Sequence, residues 1–423
     1  MKNRFITGMI IGIVCSALIF TGVYALSGKM EPQKQNASQE DGTNGDGQDS
    51  EDGNNKKGGL LRPSGADLID DKANYIMRLI DNYFLYGVTQ EAYQTAIYRA
   101  LLYACNDPYS CYYTPEEYNE MMESSSGMYC GIGCLVQQDV NTKLISIVRP
   151  FVGSPAEKAG ILAGDIVYKV DGEDVSGQDV NLVVSKMKGE ENTKVVITMY
   201  RSGEYLDFEV TRAFIEVETV TAERIEEGGH KLGLITVLEF DEVTAKQFLA
   251  SVEDMKKWGA EGLIIDLRDN PGGYVDTAVD MLDPLLPKGL IVYMKDKHGR
   301  QEDYNSDSEM FEIPMAVIIN ERSASASEIF AGAMQDYGVA TLVGTQSFGK
   351  GIVQSVIPLS DGSAVKMTIA DYYTPLGRNI HGVGITPDVI VELPEGKSSS
   401  NVERADDTQL AAAVRAVIEK IEK

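Results

Sequence analysis

Hydrophobic and polar residues follow three different patterns along the chain. The run from Phe5 to Leu26 is almost wholly apolar and follows Lys2 and Arg4. Residues 31–59 contain no Val, Ile, Leu, Met, Phe, Tyr or Trp, so they cannot bury enough surface to fold. From residue 64 onward, apolar residues recur with the spacing of helices or strands. The pattern predicts an apolar N-terminal segment, a polar linker and a folded body.

The spacing of apolar positions divides the folded body further. A helical pattern comes first, then short β-rich runs with two short helical pieces, and then strands that alternate with helices. The predicted domain limits are 1–30 for an anchor or signal segment, 31–63 for an acidic and polar linker, 64–127 for a helical segment, 128–213 for a small β-rich domain, 214–395 for an α/β domain and 396–423 for a C-terminal tail and helix.

Local signals predict individual elements. Thr114-Pro115-Glu116-Glu117 has the form of a capping box with proline at the first helical position, so a helix begins there. A helical stretch is also predicted from Leu68 to Phe84, where apolar residues recur at helical spacing. The other predicted helices are at 89–104, 154–159, 178–188, 244–257, 275–286, 326–337 and 406–421. The predicted strands of the α/β domain are 232–238, 262–267, 290–294, 315–319, 341–345, 352–358 and 363–372.

The apolar segment predicts a single membrane anchor. As a helix with a rise of about 1.5 Å per residue, it covers a hydrocarbon core of roughly 30 Å. Positive charge before the run indicates a cytoplasmic N-terminus, which predicts a single-pass protein of the cell membrane with an extracytoplasmic body. A cleaved signal peptide is the alternative, because Val23-Tyr24-Ala25 resembles a small-residue cleavage site.

Charge and cysteine content narrow the functional classes. The formal net charge of −26 argues against nucleic-acid binding, which needs a basic face. Four cysteines follow the apolar segment, and a Cys105–Cys111 bridge and two ordinary thiols both remain open. Neither cysteine spacing is joined to a histidine pair, so no zinc site is predicted.

The stretch NERSASASEIF, residues 320–330, holds the first candidate for chemistry. It lies between an apolar strand and an amphipathic helix, and Ser325-Ala326-Ser327-Glu328 is itself a capping box. Ser325 can therefore be a helix cap, a nucleophile, or both. The start of a helix offers free N–H groups and positive potential, which stabilise a developing oxyanion.

A serine nucleophile needs a base. The three histidines, His230, His298 and His381, all lie in polar, turn-like stretches for which we expect solvent exposure. Lys350 lies between Gly349 and Gly351, and a tight backbone of this kind aims a side chain. To act as a base near neutral pH, its pKa must fall from about 10.4 toward roughly 7–8.

Several motifs resemble known families. Residues 128–213 resemble a PDZ domain in Gly153–Gly160, Ala163-Gly164-Asp165 and Val170-Asp171-Gly172. Gly131, Ile132 and Gly133 then take the place of its carboxylate-binding loop, where backbone N–H groups hold a terminal carboxylate. Four further stretches resemble the C-terminal processing peptidases, which are tail-specific serine proteases with an embedded PDZ domain: LIIDLRDNPGG (263–273), ERSASASEI (321–329), SFGKGIVQ (347–354) and GITPD (384–388).

The resemblance implies a fold, an activity and site residues. The fold is α/β, with a crotonase-like ββα protease core, an inserted PDZ domain and an N-terminal helical segment. Ser325 is the implied nucleophile, Lys350 the base and Gln354 the residue that orients the lysine. Ala326 and an N–H of the Asn270–Gly273 turn, with Gly272 preferred, form the implied oxyanion hole.

The resemblance also implies the partners of the protein. The implied substrates are proteins and peptides with free, apolar C-termini, and no metal or cofactor is needed. A homodimer through the N- and C-terminal helices is a further expectation. The chain departs from the family at Lys188-Gly189, where relatives usually have Arg-Gly. This difference matters because lysine lacks the bidentate fork of arginine.

The sequence also bears on two rival functions. Residues 344–350 nearly fit a phosphate-binding P-loop, but residue 351 is Gly where that motif requires Ser or Thr, and the residues that follow are strand-like. A catalytically inactive PDZ scaffold is the other alternative, although no residue of the implied site is missing.

Overall fold

The computed structural model describes residues 65–307 and 310–423, with side chains from residue 71 onward. The predicted anchor and linker lie outside these residues. No helix in the described part of the chain is both long and apolar enough to cross a membrane. The described residues form two bodies, 65–104 and 105–423.

Residues 65–104 form two helices. Helix α1 is Gly65–Tyr83 and helix α2 is Gln90–Tyr103, whose first turn is capped by the hydroxyl of Thr89. The Tyr93 hydroxyl donates to the Asp81 carboxylate at 2.9 Å and joins the two helices. Many of their large apolar side chains are exposed: Tyr75, Ile76, Leu79, Tyr83, Ile97, Tyr98, Leu101 and Tyr103.

The second body begins with strand β1, Cys111–Tyr113, and helix α3, Pro115–Ser126. The predicted capping box is present, because the Thr114 hydroxyl accepts from the Glu117 N–H and the Glu117 carboxylate accepts from the Thr114 N–H. Gly127 ends the helix in the left-handed conformation. The local signal at Thr114 is therefore confirmed.

The small β-rich domain follows. Its main sheet has the order β3-β4-β5-β7-β8. Its apolar side chains pack into a core of their own around Ile147, Ile161 and Ile197. A separate pair of strands, β2 and β9, joins its two ends. The elements are β2 (Met128–Gly131), β3 (Cys134–Gln138), β4 (Ile145–Pro150), α4 (Pro155–Ala159), β5 (Ile166–Val170), β6 (Glu173–Asp174), α5 (Val180–Met187), β7 (Lys194–Arg201), β8 (Glu204–Thr211) and β9 (Ala213–Glu216).

The α/β domain is built on a six-stranded sheet of order β10-β11-β12-β15-β16-β19. Only β10 is antiparallel to its neighbour. Strands β12 and β15 are apolar at nearly every position because helices cover both faces of the sheet. The elements are β10 (Val220–Glu227), β11 (His230–Val237), α6 (Thr244–Trp258), β12 (Gly262–Asp266), α7 (Val275–Leu282), β15 (Met315–Ile319), α8 (Ala326–Asp336), β16 (Ala340–Gly344), β19 (Val389–Ile390) and α9 (Thr408–Ile421).

A second sheet supports the site from the side. Strand β18 pairs with β17 along one edge and with β1 and β13 along the other. These strands are β13 (Gly289–Asp296), β14 (Gln301–Ser306), β17 (Ile352–Pro358) and β18 (Ala364–Tyr373). The sheet thus links the segment before helix α3 to the chain that follows Lys350.

Two sequence predictions need correction. The helix predicted at 275–286 ends at Leu282, and a 3-10 turn at Asp283–Leu285 replaces its last turn. Pro284 is the physical reason, because proline cannot donate the backbone hydrogen bond of a continuing α-helix. His230 is not exposed as predicted. Its ring lies 3.2 Å from the Glu261 carboxylate and 3.7 Å from that of Glu422.

Candidate active site

Ser325, Lys350 and the Asn270–Gly273 turn lie on loops at the carboxyl ends of three adjacent parallel strands. Strand β12 leads into the turn at 267–273, β15 into the serine turn at 320–325, and β16 into the loop at 345–351. The carboxyl ends of parallel strands meet at one edge of a sheet, where binding sites of α/β domains are found. The sheet order therefore brings together three motifs that are far apart in sequence.

Ser323, Ser325 and Ser327, the three serines of the stretch 320–330, have different roles in the structure. The Ser323 hydroxyl donates to the Leu267 carbonyl at 2.7 Å, and the Ser327 hydroxyl donates to the Asn270 carbonyl at 3.0 Å. Both residues are fully buried. These two hydroxyls fasten the serine turn to the neighbouring turn, whereas Ser325 between them is only partly buried.

Ser325 has a strained backbone. Its φ of 56° and ψ of −116° place a residue with a side chain in a region that only glycine adopts easily. Strain of this kind persists only where the surroundings enforce it, and it is frequent at catalytic turns between a strand and a helix. The Ser325 carbonyl accepts hydrogen bonds from the N–H groups of Glu328 and Ile329, so the residue also begins helix α8.

Glu328 joins the serine turn to the lysine loop. Its side chain is completely buried. Its Oε2 accepts from the Ser325 N–H at 3.0 Å and the Lys350 N–H at 2.8 Å. Its Oε1 accepts from the Gly349 N–H at 2.7 Å and the Ser347 hydroxyl at 2.6 Å. The sequence marked Glu328 only as half of a capping box, and nothing in its local pattern indicated the bonds to residues 347–350.

The Asn270–Gly273 turn packs directly on Ser325. A Cβ on Gly272 would lie 2.6 Å from the Ala324 carbonyl oxygen and 2.7 Å from the Ser325 Cβ, so only glycine fits there. The Gly272 N–H donates to the Asn270 side chain at 2.8 Å. In the described part of the chain, no residue accepts from the N–H of Ala326 or of Gly273. One of these two backbone donors follows Ser325 in the chain, and the other belongs to the turn that packs against Ser325; neither has an acceptor among the described residues.

Lys350 is largely buried, and its amine lies over the face of the Tyr109 ring, 4.9 Å from the ring centroid. Burial, together with the charge of Lys366, lowers the pKa of Lys350 to about 8, although the carboxylates of Asp107 and Glu328 partly oppose the shift. A substantial fraction of the amine is therefore neutral near pH 8 and can accept a proton.

The side chains of Ser325, Lys350 and Gln354 are not hydrogen-bonded to one another in the described part of the chain. No hydrogen bond joins the Lys350 amine to the Ser325 hydroxyl among the residues described. Gln354 donates to the Thr368 hydroxyl at 3.3 Å, across strands β17 and β18. The chain after Gly351 continues as strand β17, where a P-loop would require a helix.

The histidines offer no alternative base. His298 and His381 are exposed. His230 lies at the first residue of β11, so the length of that strand separates it from the carboxyl-terminal edge of the sheet that carries the serine turn. In the ranges that the structure describes, no group of three His, Cys, Asp or Glu side chains could hold a metal ion.

The predicted carboxylate-binding loop lies at the start of the edge strand of the β-rich domain. Gly131 ends β2, the Ile132 side chain belongs to the core of this domain, and Gly133 has a φ of 77°. The Ile132 carbonyl accepts from the Ala156 N–H at 2.8 Å, which fixes the loop against helix α4. Strand β3 follows, and its outer edge pairs with no other strand of that sheet.

One ion pair links the end of helix α5 to helix α3. The Lys188 amine lies 2.7 Å from the Glu123 carboxylate and over the Tyr129 ring, 5.1 Å from its centroid. The contact is a single point charge on a carboxylate, as expected for lysine in place of arginine. The four cysteines after the apolar segment are all free thiols, so the Cys105–Cys111 bridge does not form.

Comparison with known proteins gives consistent matches. The profile of peptidase family S41 matches residues 231–391, and that of the PDZ domain matches residues 147–201. A carboxy-terminal-processing protease of Bartonella bacilliformis is 40% identical over 300 residues, 68% of this chain and 67% of that protein. A carboxyl-terminal-processing protease of Synechocystis sp. is 35% identical over 309 residues, 72% of each chain. A probable CtpA-like serine protease of Staphylococcus aureus is 34% identical over 349 residues, 82% of this chain and 69% of that protein.

Proposed function

The chain belongs to the carboxy-terminal-processing proteases of peptidase family S41, and from this premise we propose that Ser325 and Lys350 form its catalytic dyad. It is a serine-type peptidase that carries a PDZ domain and acts on proteins and peptides. The observation that carries the proposal is the buried Glu328 carboxylate, which binds the backbones of Ser325 and Lys350 through one oxygen atom.

The proposed chemistry is acyl transfer through the Ser325 hydroxyl. Neutral Lys350 accepts the hydroxyl proton, the serine oxygen attacks the peptide carbonyl, and the protonated lysine then donates to the leaving amine. Water releases the acyl group in a second step. Because the amine lies over Tyr109, the proposal requires the Lys350 side chain to turn toward Ser325 before the first step. Gln354 is proposed to orient the lysine in that position.

We assign the oxyanion hole to backbone donors beside the nucleophile. The Ala326 N–H at the start of α8 is one donor, since none of the described residues accepts from it and the start of a helix is positive. The second comes from the Asn270–Gly273 turn. Gly272 is the residue predicted from the sequence, but its N–H is engaged by Asn270, which favours Gly273 as the donor and Gly272 as the close-packed support.

The PDZ domain is proposed to bind the free C-terminus of the substrate. Backbone N–H groups of Gly131, Ile132 and Gly133 would hold the carboxylate, and the outer edge of β3 would pair with the extended tail. The preference for apolar tails is part of this proposal.

The location and assembly of the protein are also proposals. The run Phe5–Leu26 would anchor it in the cell membrane, with residues 31–63 as the linker and the protease body outside the cytoplasm. We also propose that the domains have the limits predicted from the sequence and that the protease core is crotonase-like. The exposed apolar side chains of α1 and α2 support a homodimer.

The test is cleavage of a peptide that has an apolar C-terminus by the full chain, with Ser325→Ala, Lys350→Ala and Ser323→Ala compared. Loss of activity by about 10³-fold or more is expected for the first two variants. Ser323→Ala serves as the matched control, because its hydroxyl fastens the same turn without facing substrate, and activity should survive in the fraction that folds. Cleavage that persists in Lys350→Ala would defeat the dyad. A wild-type chain that binds the peptide without cleaving it would favour an inactive scaffold.

A further inference from the structure

We propose that Tyr109 and Asp107 are positioning residues for Lys350. They hold its protonated amine in a resting place away from the Ser325 hydroxyl and release the amine when it loses its proton. The inference rests on the proposed function, in which Lys350 is the base. It assigns a role to the segment 107–113, which precedes helix α3 and belongs to neither the serine turn nor the lysine loop.

The contact between Tyr109 and Lys350 is the first observation. The Lys350 nitrogen lies 4.9 Å from the centroid of the Tyr109 ring. An aromatic face attracts an ammonium group through its quadrupole but has no comparable attraction for a neutral amine. The ring also covers the amine, so it contributes to the burial of Lys350. The position of the amine therefore depends on its protonation state.

Hydrogen bonds hold the segment in place. The Asp107 carboxylate accepts from the Tyr109 N–H at 3.1 Å and from the Ser110 hydroxyl at 2.5 Å. The Ser110 oxygen in turn accepts from the Thr368 N–H at 3.1 Å. Strand β1 then pairs with β18, the same strand that pairs with β17 after Lys350. Tyr109 is thus fixed on the scaffold that also carries the lysine.

The charged groups around Lys350 act in opposite directions. Burial and the positive charge of Lys366 favour the neutral amine, whereas the carboxylates of Asp107 and Glu328 favour the ammonium form. Glu328 already accepts four hydrogen bonds from the two loops and cannot be changed without disturbing them. Tyr109 and Asp107 are therefore the groups that can be altered to test the balance.

A neutral amine is what the dyad requires. While Lys350 is protonated, the Tyr109 face and the Asp107 charge retain it, and it cannot accept a proton from Ser325. After deprotonation both attractions weaken, and rotation about the lysine side-chain bonds becomes less costly. The two residues thus couple the availability of the base to pH. This makes segment 107–113 a determinant of the pH range of the peptidase.

The experiment measures kcat/KM against pH for the full chain, because its acid limb reports the ionisation of the free enzyme. Tyr109→Leu keeps an apolar cover over the amine and removes the aromatic face, and Asp107→Asn removes the charge and keeps an acceptor for the turn. Each should move the acid limb to lower pH by about 0.5 to 1 pH unit. Tyr109→Ala opens the site to water and should move it to higher pH, while Tyr109→Phe should leave it in place.

Asp139→Asn is the matched control for Asp107→Asn. Asp139 accepts three hydrogen bonds within a similar turn, from the N–H groups of Asn141 and Thr142 and from the Thr142 hydroxyl, but it lies in the β3–β4 connection of the PDZ domain. The acid limb of the Asp139→Asn profile should coincide with that of the wild type. A merely structural role of Asp107 would lower the yield of folded protein without moving the limb.

A second readout does not depend on activity. In the Ser325→Ala background, labelling of Lys350 by an amine-reactive anhydride, followed by mass spectrometry against pH, reports its neutral fraction directly. The labelling midpoint should move down in Tyr109→Leu and in Asp107→Asn. An unchanged midpoint and acid limb in both variants would overturn the inference, even if Lys350→Ala is inactive. Activity that persists in Lys350→Ala would instead remove the proposed function on which the inference rests.

Discussion

The most direct test of the site architecture is the substitution Glu328→Gln. The carboxylate accepts four hydrogen bonds, two at each oxygen, and three of the donors are backbone N–H groups. A glutamine amide places an NH2 group where one oxygen was. If that group faces Ser325 and Lys350, it meets two N–H donors that cannot turn. If it faces Ser347 and Gly349, only the Ser347 hydroxyl can rotate to accept.

The magnitude follows from the less damaging orientation. One buried N–H, that of Gly349, loses its acceptor, at a cost of about 1–3 kcal/mol. The two bonds that remain at the other oxygen lose their charge assistance, at roughly 1 kcal/mol each. Removal of a buried charge offsets part of this sum. We therefore expect a loss of about 3 kcal/mol in the free energy of unfolding, and a loss of about 10²-fold in kcat because the backbones of the two proposed dyad residues shift.

Urea unfolding followed by tryptophan fluorescence measures the first quantity. The chain has one tryptophan, Trp258, which packs against the core of the α/β domain and so reports on that domain. Glu321→Gln is the matched control, because Glu321 is exposed at the start of the same turn, and it should change the stability by less than about 0.5 kcal/mol. If Glu328→Gln matched the wild type within about 1 kcal/mol and cleaved peptide at a similar rate, the carboxylate would not be the link between the two loops.

Three further predictions concern the same region. Because the pKa of Lys350 is about 8 and only the neutral amine accepts a proton, kcat/KM should rise with pH through about 8. For the same reason Lys350→Arg should be folded but inactive, and an active arginine variant would contradict this prediction. Gly272→Ala should reduce activity by about 10²-fold, since its Cβ would lie 2.6 Å from a carbonyl oxygen. Gly299→Ala also lies at a positive φ, of 75°, but its Cβ would meet no other part of the described chain within 4 Å, so this control should keep activity. Equal losses in the two variants would show that the contact at Gly272 is unimportant. Burial and the neighbouring carboxylates raise the pKa of Asp241 to about 7, so its ionisation should lower the free energy of unfolding as pH rises from about 4 to 7. Asp241→Asn should therefore be more stable than the wild type at pH 8 by roughly 2–4 kcal/mol. A variant whose stability depends on pH as that of the wild type does would refute the assignment.

Local sequence signals predicted most of the regular structure. The capping box at Thr114 placed the start of helix α3, and the apolar run of β15 predicted its strand with the observed limits. Strands β10 and β14 were missed, because the residues of each are mostly exposed and polar. Such strands form because a neighbouring strand offers hydrogen bonds, and periodicity of apolar residues carries no record of that.

The sequence also identified the residue types of the site, but it did not identify the role of each residue. The motif 321–329 contains three serines, and only the family resemblance indicated that Ser325 is the nucleophile. The structure separates them by their bonds, since Ser323 and Ser327 are committed to carbonyls of the neighbouring turn. The sequence indicated no role for Asp107 or Tyr109. Their proximity to Lys350 depends on the pairing of β1 with β18, residues more than 250 positions apart.

The sequence by itself determined the class of this protein: the order of apolar runs, caps and glycines selects the domains and supplies a serine, a lysine and a glycine turn. The tertiary structure decided which atoms meet. It placed one buried carboxylate between two loops, occupied the Gly272 N–H, and set an aromatic ring over the lysine. The physical reason is the range along the chain over which each kind of interaction acts. Propensities and caps act within a few residues, whereas burial, desolvation and hydrogen bonds between loops exist only after distant strands have paired.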